Sequence, residues 1–429
     1  MTDSLRAEPE TTSASPRPAP AAARPLNHGI LTWLVAGYLA LTFAGFLVLK
    51  FGRVTESGHE MSSLRAAFLA VNASTLTGFQ STVGLEDLEE EGTLGPATVL
   101  VLIVGGALFS LIGGGIAAVR VLRMPYSDGQ VVWAALAALL IAVLAGATPL
   151  LGPDRRMFDA VFQATGAFAN SGLYVGRLNG VSSVVPHAVL LPLAFIGGLG
   201  LPVLMELFDR ATAGRGGRPL SVHTRTVFVT SAVLYLSGTL IYLALLSPRR
   251  IPEHSGDLAR WQEALASSSA ASLNSRTAGF AFEFAAGYPR TMQWVLMLFM
   301  AVGANPAGTG GGVKATTVAQ LASGVRGALR GQAPTRPFGI AACWVCLYGA
   351  IVFCGLLLLL WRVPDMSADR LLFLSVSAAS NVGLSQDPVS MTGPGLYTLS
   401  AVMLAGRVAP VLVLWWTART TRDSALAVG

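Results

Sequence analysis

Charged side chains are scarce in this chain of 429 residues. Only 12% of the residues are Asp, Glu, Lys or Arg, whereas 53% are hydrophobic. A soluble domain carries about 25% charged residues. The composition therefore excludes an ordinary soluble domain and predicts a protein that crosses a membrane several times.

The sequence also lacks the groupings on which catalytic and metal sites are built. It contains five His and three Cys, with no Ser/His/Asp arrangement and no paired carboxylates in apolar surroundings. Cys343 and Cys346 form a C-x-x-C pair, a spacing that elsewhere carries redox or metal chemistry. Because both lie in an apolar run, we interpret them as packing residues of a membrane helix. The chain is predicted not to be an enzyme and to hold no organic cofactor.

Lysine is nearly absent, since only Lys50 and Lys314 occur and arginine supplies almost all of the net charge of +6. In a membrane protein such charge marks cytoplasmic loops and does not indicate nucleic-acid binding. The first 25 residues also lack an apolar core segment, so they are not a signal peptide. This Pro- and Ala-rich stretch cannot bury a core and is predicted to be a disordered cytoplasmic tail.

Long apolar runs are what the chain does have. A membrane-spanning helix needs about 20 apolar residues. Eight runs reach this length, at 30–50, 94–119, 131–151, 184–207, 227–246, 291–324, 338–361 and 396–416. Each odd-numbered run is joined to the next by a connector that holds a short amphipathic stretch, at 61–74, 154–168, 260–272 and 367–380. These stretches are too short to span, so they are predicted to enter the membrane and turn back.

The same unit recurs along the chain. Each short stretch is followed by a turn of small residues, and the glycines of these turns recur at intervals of about 100 residues; they are Gly78, Gly172, Gly279 and Gly383. We therefore predict an all-α polytopic membrane protein with eight transmembrane helices, arranged as four M1–P–M2 repeats (span, pore helix, span) around one pore. The predicted bounds are 1–28 for the N-terminal tail, 29–125, 126–222, 223–335 and 336–418 for the repeats, and 419–429 for a cytoplasmic C-terminal tail.

The arginines predict the orientation. Groups of them precede the first apolar run and follow the second, fourth, sixth and eighth runs, which all lie on one side if eight spans alternate. The opposite side has fewer, among them Arg155, Arg156, Arg249, Arg250 and Arg260. The side with more arginines is cytoplasmic by the positive-inside rule. We expect a multi-pass protein of the cell (inner) membrane with both termini in the cytoplasm. The acidic segment 86–91 falls on the opposite side.

Four glycine turns around one axis could form a ring of backbone carbonyls. Such a ring replaces the hydration shell of a monovalent cation, and glycine permits the backbone conformations that point the carbonyls inward. Each pore helix would also aim its partially negative C-terminal end at the centre. The candidate K⁺-filter residues are Thr75, Leu76, Thr77 and Gly78; Asn170, Ser171 and Gly172; Thr277, Ala278 and Gly279; and Asn381, Val382 and Gly383.

The stretch GANPAGTGGGVKATT at 303–317 interrupts the sixth apolar run. It is not a phosphate-binding P-loop, because the lysine does not follow the last glycine directly and no Ser or Thr comes next. Glycines and Pro306 prevent a continuous helix, so the segment is predicted to be a broken helix. It is either a mobile loop that can occlude the pore or a rigid kink. The candidate gating residues are Gly303, Asn305, Pro306, Gly308, Thr309, Gly310, Gly311, Gly312 and Lys314.

Three basic residues lie close to these features. Arg407 lies inside the last apolar run, where a charge is costly and marks a functional site unless it snorkels to the membrane surface. Arg276 precedes Gly279 and is expected to scaffold the filter, because a cation in contact with the ion would repel it. Lys314 ends the broken helix, at the cytoplasmic mouth or at the membrane interface.

These motifs resemble the membrane subunit of the Trk/Ktr/HKT superfamily of potassium transporters, and the Ktr type in particular. The resemblance rests on SRTAGF at 275–280, FIGGLGLPVL at 195–204 with LSVHTR at 220–225, the broken-helix stretch, SNVGLS at 380–385 and LAGRVAP at 404–410. It covers about residues 30–417. It implies the four-repeat fold, a gating loop at 303–317 faced by Arg407, and K⁺ as the transported ion.

The resemblance also implies partners: a homodimer within membrane lipid, and a separately encoded cytoplasmic nucleotide-binding ring subunit that regulates the pore. Because a serine at the first glycine accompanies Na⁺ permeation in plant relatives, Gly78 favours K⁺. We expect K⁺ uptake driven by the electrochemical gradient, with Na⁺ coupling left open. The alternatives are a Na⁺-permeable or Na⁺/K⁺-symporting relative and the K⁺-translocating subunit of an ATP-driven pump.

Overall fold

The computed structural model describes residues 28–52, 61–80, 94–152, 156–176, 178–213, 219–250, 258–389, 391 and 393–420. Within these ranges the regular secondary structure is helical, and an isolated β-bridge joins Val302 to Val313. The acidic segment 86–91, all but one residue of the predicted tail 1–28, and most of the predicted tail 419–429 lie outside the described residues.

In chain order the helices are α1 (His28–Phe51), α2 (Ser63–Ser74), α3 (Leu94–Val121), α4 (Asp128–Leu150), α5 (Met157–Ala169), α6 (Pro186–Leu199), α7 (Leu201–Thr212), α8 (Val222–Arg250), α9 (Leu258–Leu273), α10 (Arg290–Ala301), α11 (Ala315–Ala328), α12 (Arg336–Arg362), α13 (Ala368–Ala379) and α14 (Pro394–Thr420). Helix α3 contains a π-helical turn at Phe109–Gly113, and α9 continues into another at Asn274–Ala278.

Six of the described helices are long and apolar enough to cross a membrane: α1, α3, α4, α8, α12 and α14. The fourth predicted span is instead bent by 100° between α6 and α7. Gly200 takes a φ of 93° at the bend and Pro202 begins the next helix, the residue types that favour a helix break and a new start. Counting the bent pair as one, the described helices provide seven candidate spans by length and composition, and the remaining predicted span is the broken pair described next.

The sixth predicted span is two separate helices. Helix α10 has 12 residues and α11 has 14, and each is shorter than the length of about 20 that a single span requires. Between them lies an irregular segment at 302–314. Its glycine-rich part is called here the 303–314 loop. The glycines and Pro306 explain why no helix continues through it.

The short helices α2, α5, α9 and α13 lie where the sequence places its amphipathic stretches. Each packs against the long helix that precedes it: α2 on α1, α5 on α4, α9 on α8 and α13 on α12. Each unit also contacts the unit before it, since α5 packs on α3, the turn after α9 on α6, α13 on α10, and α2 on α14. The last contact joins the end of the chain to its beginning, so the arrangement is cyclic.

Burial separates an outer from an inner set of long helices. Only 22%, 33%, 22% and 17% of the apolar windows of α1, α4, α8 and α12 are buried, against 67% for α3 and 50% for α14. Large apolar side chains such as Trp33, Leu140, Leu240 and Leu357 are exposed on the outer helices. An extended apolar surface of this kind is suited to contact with lipid. The glycine turns therefore lie inside a shell of outer helices.

Candidate functional site

The four predicted glycine turns (75–78, 170–172, 277–279 and 381–383, called here the glycine turns) follow the short helices and share one backbone conformation. Their glycines all have positive φ: 87° at Gly78, 66° at Gly172, 66° at Gly279 and 81° at Gly383. Residues with a Cβ adopt such values at a cost, whereas glycine does so freely. The conformation explains why glycine occupies this place in each turn.

The glycine turns face one another around a closed ring. A methyl group at any of the four glycines would collide with a carbonyl oxygen of the next turn. The distances would be 1.8 Å from Gly78 to Ser171, 2.6 Å from Gly172 to Gly279, 1.7 Å from Gly279 to Val382 and 2.0 Å from Gly383 to Thr77. The structure thus brings the four sets of candidate filter residues together, with the fourth turn returning to the first.

Three of the glycine turns have a second position of positive φ, two residues before the glycine. These residues are Leu76 at 57°, Asn170 at 57° and Asn381 at 49°. Such values are uncommon outside glycine, and for leucine they are a strain that the surroundings must hold in place. The third turn differs, because the π-helical turn Asn274–Ala278 leads into Gly279 directly. The four glycines therefore share one conformation, whereas the residues that lead into the third glycine differ in conformation from those of the other three turns.

Two asparagines that sequence reasoning missed support the turns. The side-chain oxygen of Asn72 accepts hydrogen bonds from the backbone N–H groups of Gly78 and Phe79, both at 2.9 Å, and its amide donates to the Phe79 carbonyl at 2.9 Å. Asn274 accepts from the N–H of Phe280 at 2.7 Å and donates to its carbonyl. The sequence signal for this supporting role was an asparagine near the C-terminal end of each of two short helices.

Three glycines on the inner helices were also missed. Gly106, Gly197 and Gly406 lie against the C-terminal ends of α2, α5 and α13. A methyl group there would lie 2.0 Å from the Ser74 oxygen, 1.9 Å from the Phe168 oxygen and 2.2 Å from the Ala379 oxygen, respectively. Small residues let helix backbones approach closely inside membranes. These glycines fix how near the carbonyl end of each short helix comes to the inner helix.

The 303–314 loop lies directly beside the glycine turns and is bonded to α6. The backbone N–H and the side-chain amide of Asn305 both donate to the Gly198 oxygen, at 3.0 and 3.1 Å, and the Thr309 N–H donates to the Gly197 oxygen at 3.1 Å. These bonds reach from the third unit across the fold to the second. A methyl group at Gly311 would lie 2.2 Å from the Ser380 oxygen. The loop therefore occupies a place between α6 and the fourth turn.

Three basic side chains donate hydrogen bonds to carbonyl oxygens of this loop. Arg407 Nη1 lies 2.7 Å from the Thr309 oxygen, Lys314 Nζ 2.7 Å from the Gly310 oxygen, and Arg276 Nη2 3.4 Å from the Gly303 oxygen. Hydrogen bonds from charged donors are stronger than neutral ones. Arg276, which we expected to scaffold the filter, thus also holds the start of the loop.

Arg407 is 4% exposed, so it does not snorkel to the membrane surface. Its Nε donates to the Thr75 oxygen at 2.7 Å and its Nη1 also reaches Ser110 Oγ at 3.2 Å. One guanidinium therefore joins the first glycine turn, the inner helix α3 and the 303–314 loop. A cavity beside it is lined by Ser110, Pro306, Lys314, Trp344, Arg407 and Pro410, among others. Lys314 is part-buried in this cavity wall.

The cysteines do not form a metal or redox centre in the described chain. Cys343, Cys346 and Cys354 are free and exposed on the outer helix α12, so our interpretation of Cys343 and Cys346 as packing residues was wrong. Apolar thiols are compatible with a lipid-facing surface. In the described ranges no three His, Cys, Asp or Glu side chains are grouped as a metal site would require.

Known proteins resemble this chain in sequence and fold. The family model described as "TrkH: Cation transport protein" matches residues 130–417. The chain is 27% identical over 287 residues to Ktr system potassium uptake protein B of Vibrio alginolyticus, covering 63% of this chain and 61% of that protein. It is 27% identical over 412 residues to the protein of the same name in Bacillus subtilis (strain 168), covering 85% and 88%.

A solved structure shares the fold. The crystal structure of the potassium transporter TrkH from Vibrio parahaemolyticus matches with a TM-score of 0.69 at 18% sequence identity, covering 91% of this chain and 85% of that one. The match supports the overall architecture over 91% of this chain.

Proposed function

The chain belongs to the TrkH family of cation transport proteins, and from that premise we propose that it is the membrane subunit of a potassium uptake system. The glycine turns form its ion filter and the 303–314 loop gates the path beside them. The single observation that carries this proposal is the closed ring, in which every glycine faces a carbonyl oxygen of the next turn. A carbonyl ring is the known means of binding a dehydrated K⁺ ion.

The electrostatics of the ring suit a cation. Helices α2, α5 and α13 end at the glycine turns, so their unpaired carbonyls present partial negative charge there. The backbone oxygens carry no full charge that would trap a monovalent ion, so a bound ion can leave again. The same arrangement disfavours anions. Gly78 in the first turn gives the ring four equivalent glycines, which favours K⁺ over the Na⁺-permeable alternative.

The 303–314 loop and Arg407 supply the gate. The loop is bonded to α6, Arg407 and Arg276, and its own Lys314 bonds back to Gly310. Arg407 also places a buried positive charge next to the first turn. In this arrangement an ion that leaves the ring meets the loop and a like charge. Displacement of the loop opens the path. These contacts support the mobile gate over the rigid kink, because each can be broken without unfolding a helix.

Uptake needs no ATP in this proposal. An inside-negative potential of 100 mV contributes roughly 2.3 kcal/mol for each K⁺ that enters. The proposal holds with or without coupling of K⁺ uptake to Na⁺. The ATP-driven pump alternative differs in its prediction, because it requires a partner that hydrolyses ATP before any flux occurs.

The remaining organisation follows from the same premise. We propose four M1–P–M2 repeats with eight membrane crossings, in which α6–α7 and α10–α11 each count as one broken crossing. Both termini lie in the cytoplasm of a cell whose inner membrane holds the protein as a homodimer. A cytoplasmic nucleotide-binding ring subunit, encoded separately, moves the loop. The cyclic packing of the short helices supports the repeat assignment.

Ion binding can be tested without opening the gate. Thermal unfolding of the purified protein is measured in KCl, NaCl and choline chloride at equal ionic strength, because an ion that binds the folded state raises the unfolding temperature. We expect K⁺ to stabilise more than Na⁺, and Gly279→Ala to abolish the difference. Gly349→Ala is the control, since nothing lies within 4 Å of that glycine's added methyl. Equal stabilisation by all three cations would contradict a K⁺ filter.

A further inference from the structure

One side chain of the 303–314 loop is hydrogen-bonded to a glycine turn. The Thr309 hydroxyl lies 2.7 Å from Asn170 Nδ2 and 2.9 Å from the Phe168 oxygen. A hydroxyl can donate one hydrogen bond and accept two, so Thr309 accepts from Asn170 and donates to Phe168. Thr309 is fully buried, so both bonds lie away from bulk solvent.

The backbone of Thr309 is bonded in two further directions. Its N–H donates to the Gly197 oxygen of α6 at 3.1 Å, and its carbonyl accepts from Arg407 at 2.7 Å. Thr309 is therefore the point at which the loop, the second glycine turn, α6 and the buried arginine of α14 meet. A loop displacement that frees its carbonyl from Arg407 also pulls its hydroxyl from Asn170.

Asn170 of the second turn is bonded to Thr309 of the loop, whereas Asn381, which occupies the same place in the fourth turn, is bonded elsewhere. Both asparagines have positive φ and donate to a carbonyl of an inner helix, Asn170 to Ala194 at 3.0 Å and Asn381 to Met403 at 2.9 Å. The second donor bond of Asn381 goes to Thr77, within the ring, at 3.1 Å. The shortest donor bond of Asn170, at 2.7 Å, goes to the loop, and a long contact of 3.4 Å reaches the Phe168 oxygen. The asparagine of the second turn is thus bonded to the loop, whereas that of the fourth turn is bonded within the ring.

We propose that Thr309 is a positioning residue that couples the gate to the second glycine turn, so that ion selectivity depends on the state of the loop. The proposal rests on the proposed function. With the loop seated, Asn170 donates to Thr309 and to Ala194, and the ring keeps its geometry. With the loop displaced, Asn170 loses its shortest bond and keeps the Ala194 bond and a long one of 3.4 Å to the Phe168 oxygen. The carbonyls of the second turn are then free to accommodate a smaller ion.

The test is ATP-free flux of K⁺ and of Na⁺ into liposomes that contain wild type, Thr309→Val or Thr309→Ser. Valine keeps the shape and removes the hydroxyl, and serine keeps the hydroxyl. Loss of one hydrogen bond of ordinary strength shifts the closed loop toward open by roughly fivefold, so Thr309→Val is expected to raise K⁺ flux by that factor. The K⁺/Na⁺ flux ratio is expected to fall several-fold as well, while Thr309→Ser behaves as wild type.

Different experimental outcomes would contradict the proposed coupling and the proposed function. A Thr309→Val variant that raises flux with an unchanged K⁺/Na⁺ ratio would overturn the coupling and leave the filter intact. Unchanged flux and ratio would overturn it too. If wild type shows no K⁺ preference either in this assay or in the thermal assay above, the proposed function is what fails. Thr309→Ala replaces valine if the valine variant elutes as unfolded protein, because it removes the same hydroxyl without adding a group.

Discussion

Arg407 donates a hydrogen bond of 2.7 Å from Nε to the carbonyl oxygen of Thr75. The bond joins the middle of the last helix to the first glycine turn across almost the whole length of the chain. Through Nη1 the same side chain holds the Thr309 oxygen of the 303–314 loop. A change at position 407 is therefore expected to act on the gate and on the ring together.

Replacing Arg407 should open the path. Arg407→Gln removes the positive charge and weakens the bonds to Thr309 and Thr75. Since hydrogen bonds from charged donors contribute about 1.5–3 kcal/mol, we expect K⁺ flux into liposomes to rise by at least tenfold. Arg407→Lys separates the two causes, because it keeps the charge and loses the forked geometry. Flux as low as wild type in Arg407→Lys would assign the barrier to charge, and unchanged flux in Arg407→Gln would contradict a gating role.

The glycines of the inner helices should be intolerant of a methyl group. Gly197→Ala places a carbon 1.9 Å from the Phe168 oxygen, and forcing extra atoms into a packed core costs about 1–3 kcal/mol. We expect a lower temperature of thermal unfolding in detergent and loss of K⁺-dependent stabilisation. Gly349→Ala, in open space on α12, should keep or slightly raise the unfolding temperature. Equal stability of the two variants would show that the close approach does not exist.

Asn72 should be required for the first glycine turn. Asn72→Leu leaves the N–H groups of Gly78 and Phe79 buried without their acceptor, and each such loss costs about 1–3 kcal/mol. Asn72→Asp retains the acceptor and loses only the donor to the Phe79 oxygen. We therefore expect K⁺-dependent stabilisation to disappear in the leucine variant and to survive in the aspartate variant. The same response from both would mean that the two N–H groups do not depend on this side chain.

A contact outside the membrane predicts an alkaline limit of stability. Burial and the hydrogen bond from its hydroxyl to Asp209 raise the pKa of Tyr126 above its ordinary value of 10.0. A raised pKa means that the folded state holds the proton more tightly. The stabilisation is present below pH 10 and is lost as the pH rises above it. Tyr126→Phe should lower the unfolding temperature at neutral pH and bring it nearer to that of wild type at alkaline pH. A constant difference at every pH would contradict the linkage.

The sequence predicts the helices and the ring better than the connections between them. Apolar runs locate the long helices, because the membrane thickness fixes their length. The recurring glycines locate the turns, because glycine adopts the positive φ of these turns without a steric cost. The bend at Gly200 was missed, although a glycine followed closely by Pro202 favours a new helix start. The apolar run at 184–207 predicts a span, but its hydropathy carries no sign of its bend of 100°.

Contacts between distant parts of the chain had no signal in a single sequence. The hydrogen bonds of Thr309 to Asn170 and of Arg407 to Thr75 join residues more than a hundred positions apart, and no periodicity encodes such pairs. The resemblance to known transporters indicated that Arg407 faces the loop, but it did not indicate the hydrogen bond from Arg407 to the first glycine turn. Gly106, Gly197 and Gly406 looked like ordinary small residues of membrane helices, and only their closeness to the carbonyl ends of the short helices distinguishes them.

The central claim is that the four glycine turns form a K⁺-selective path. The most direct measurement is ATP-free uptake of K⁺ and Na⁺ by liposomes containing wild type, Gly279→Ala or, as the matched control, Gly349→Ala. The account predicts uptake that favours K⁺, that Gly279→Ala abolishes, and that Gly349→Ala leaves unchanged. Equal uptake of both ions, or undiminished K⁺ uptake with alanine at position 279, would contradict it.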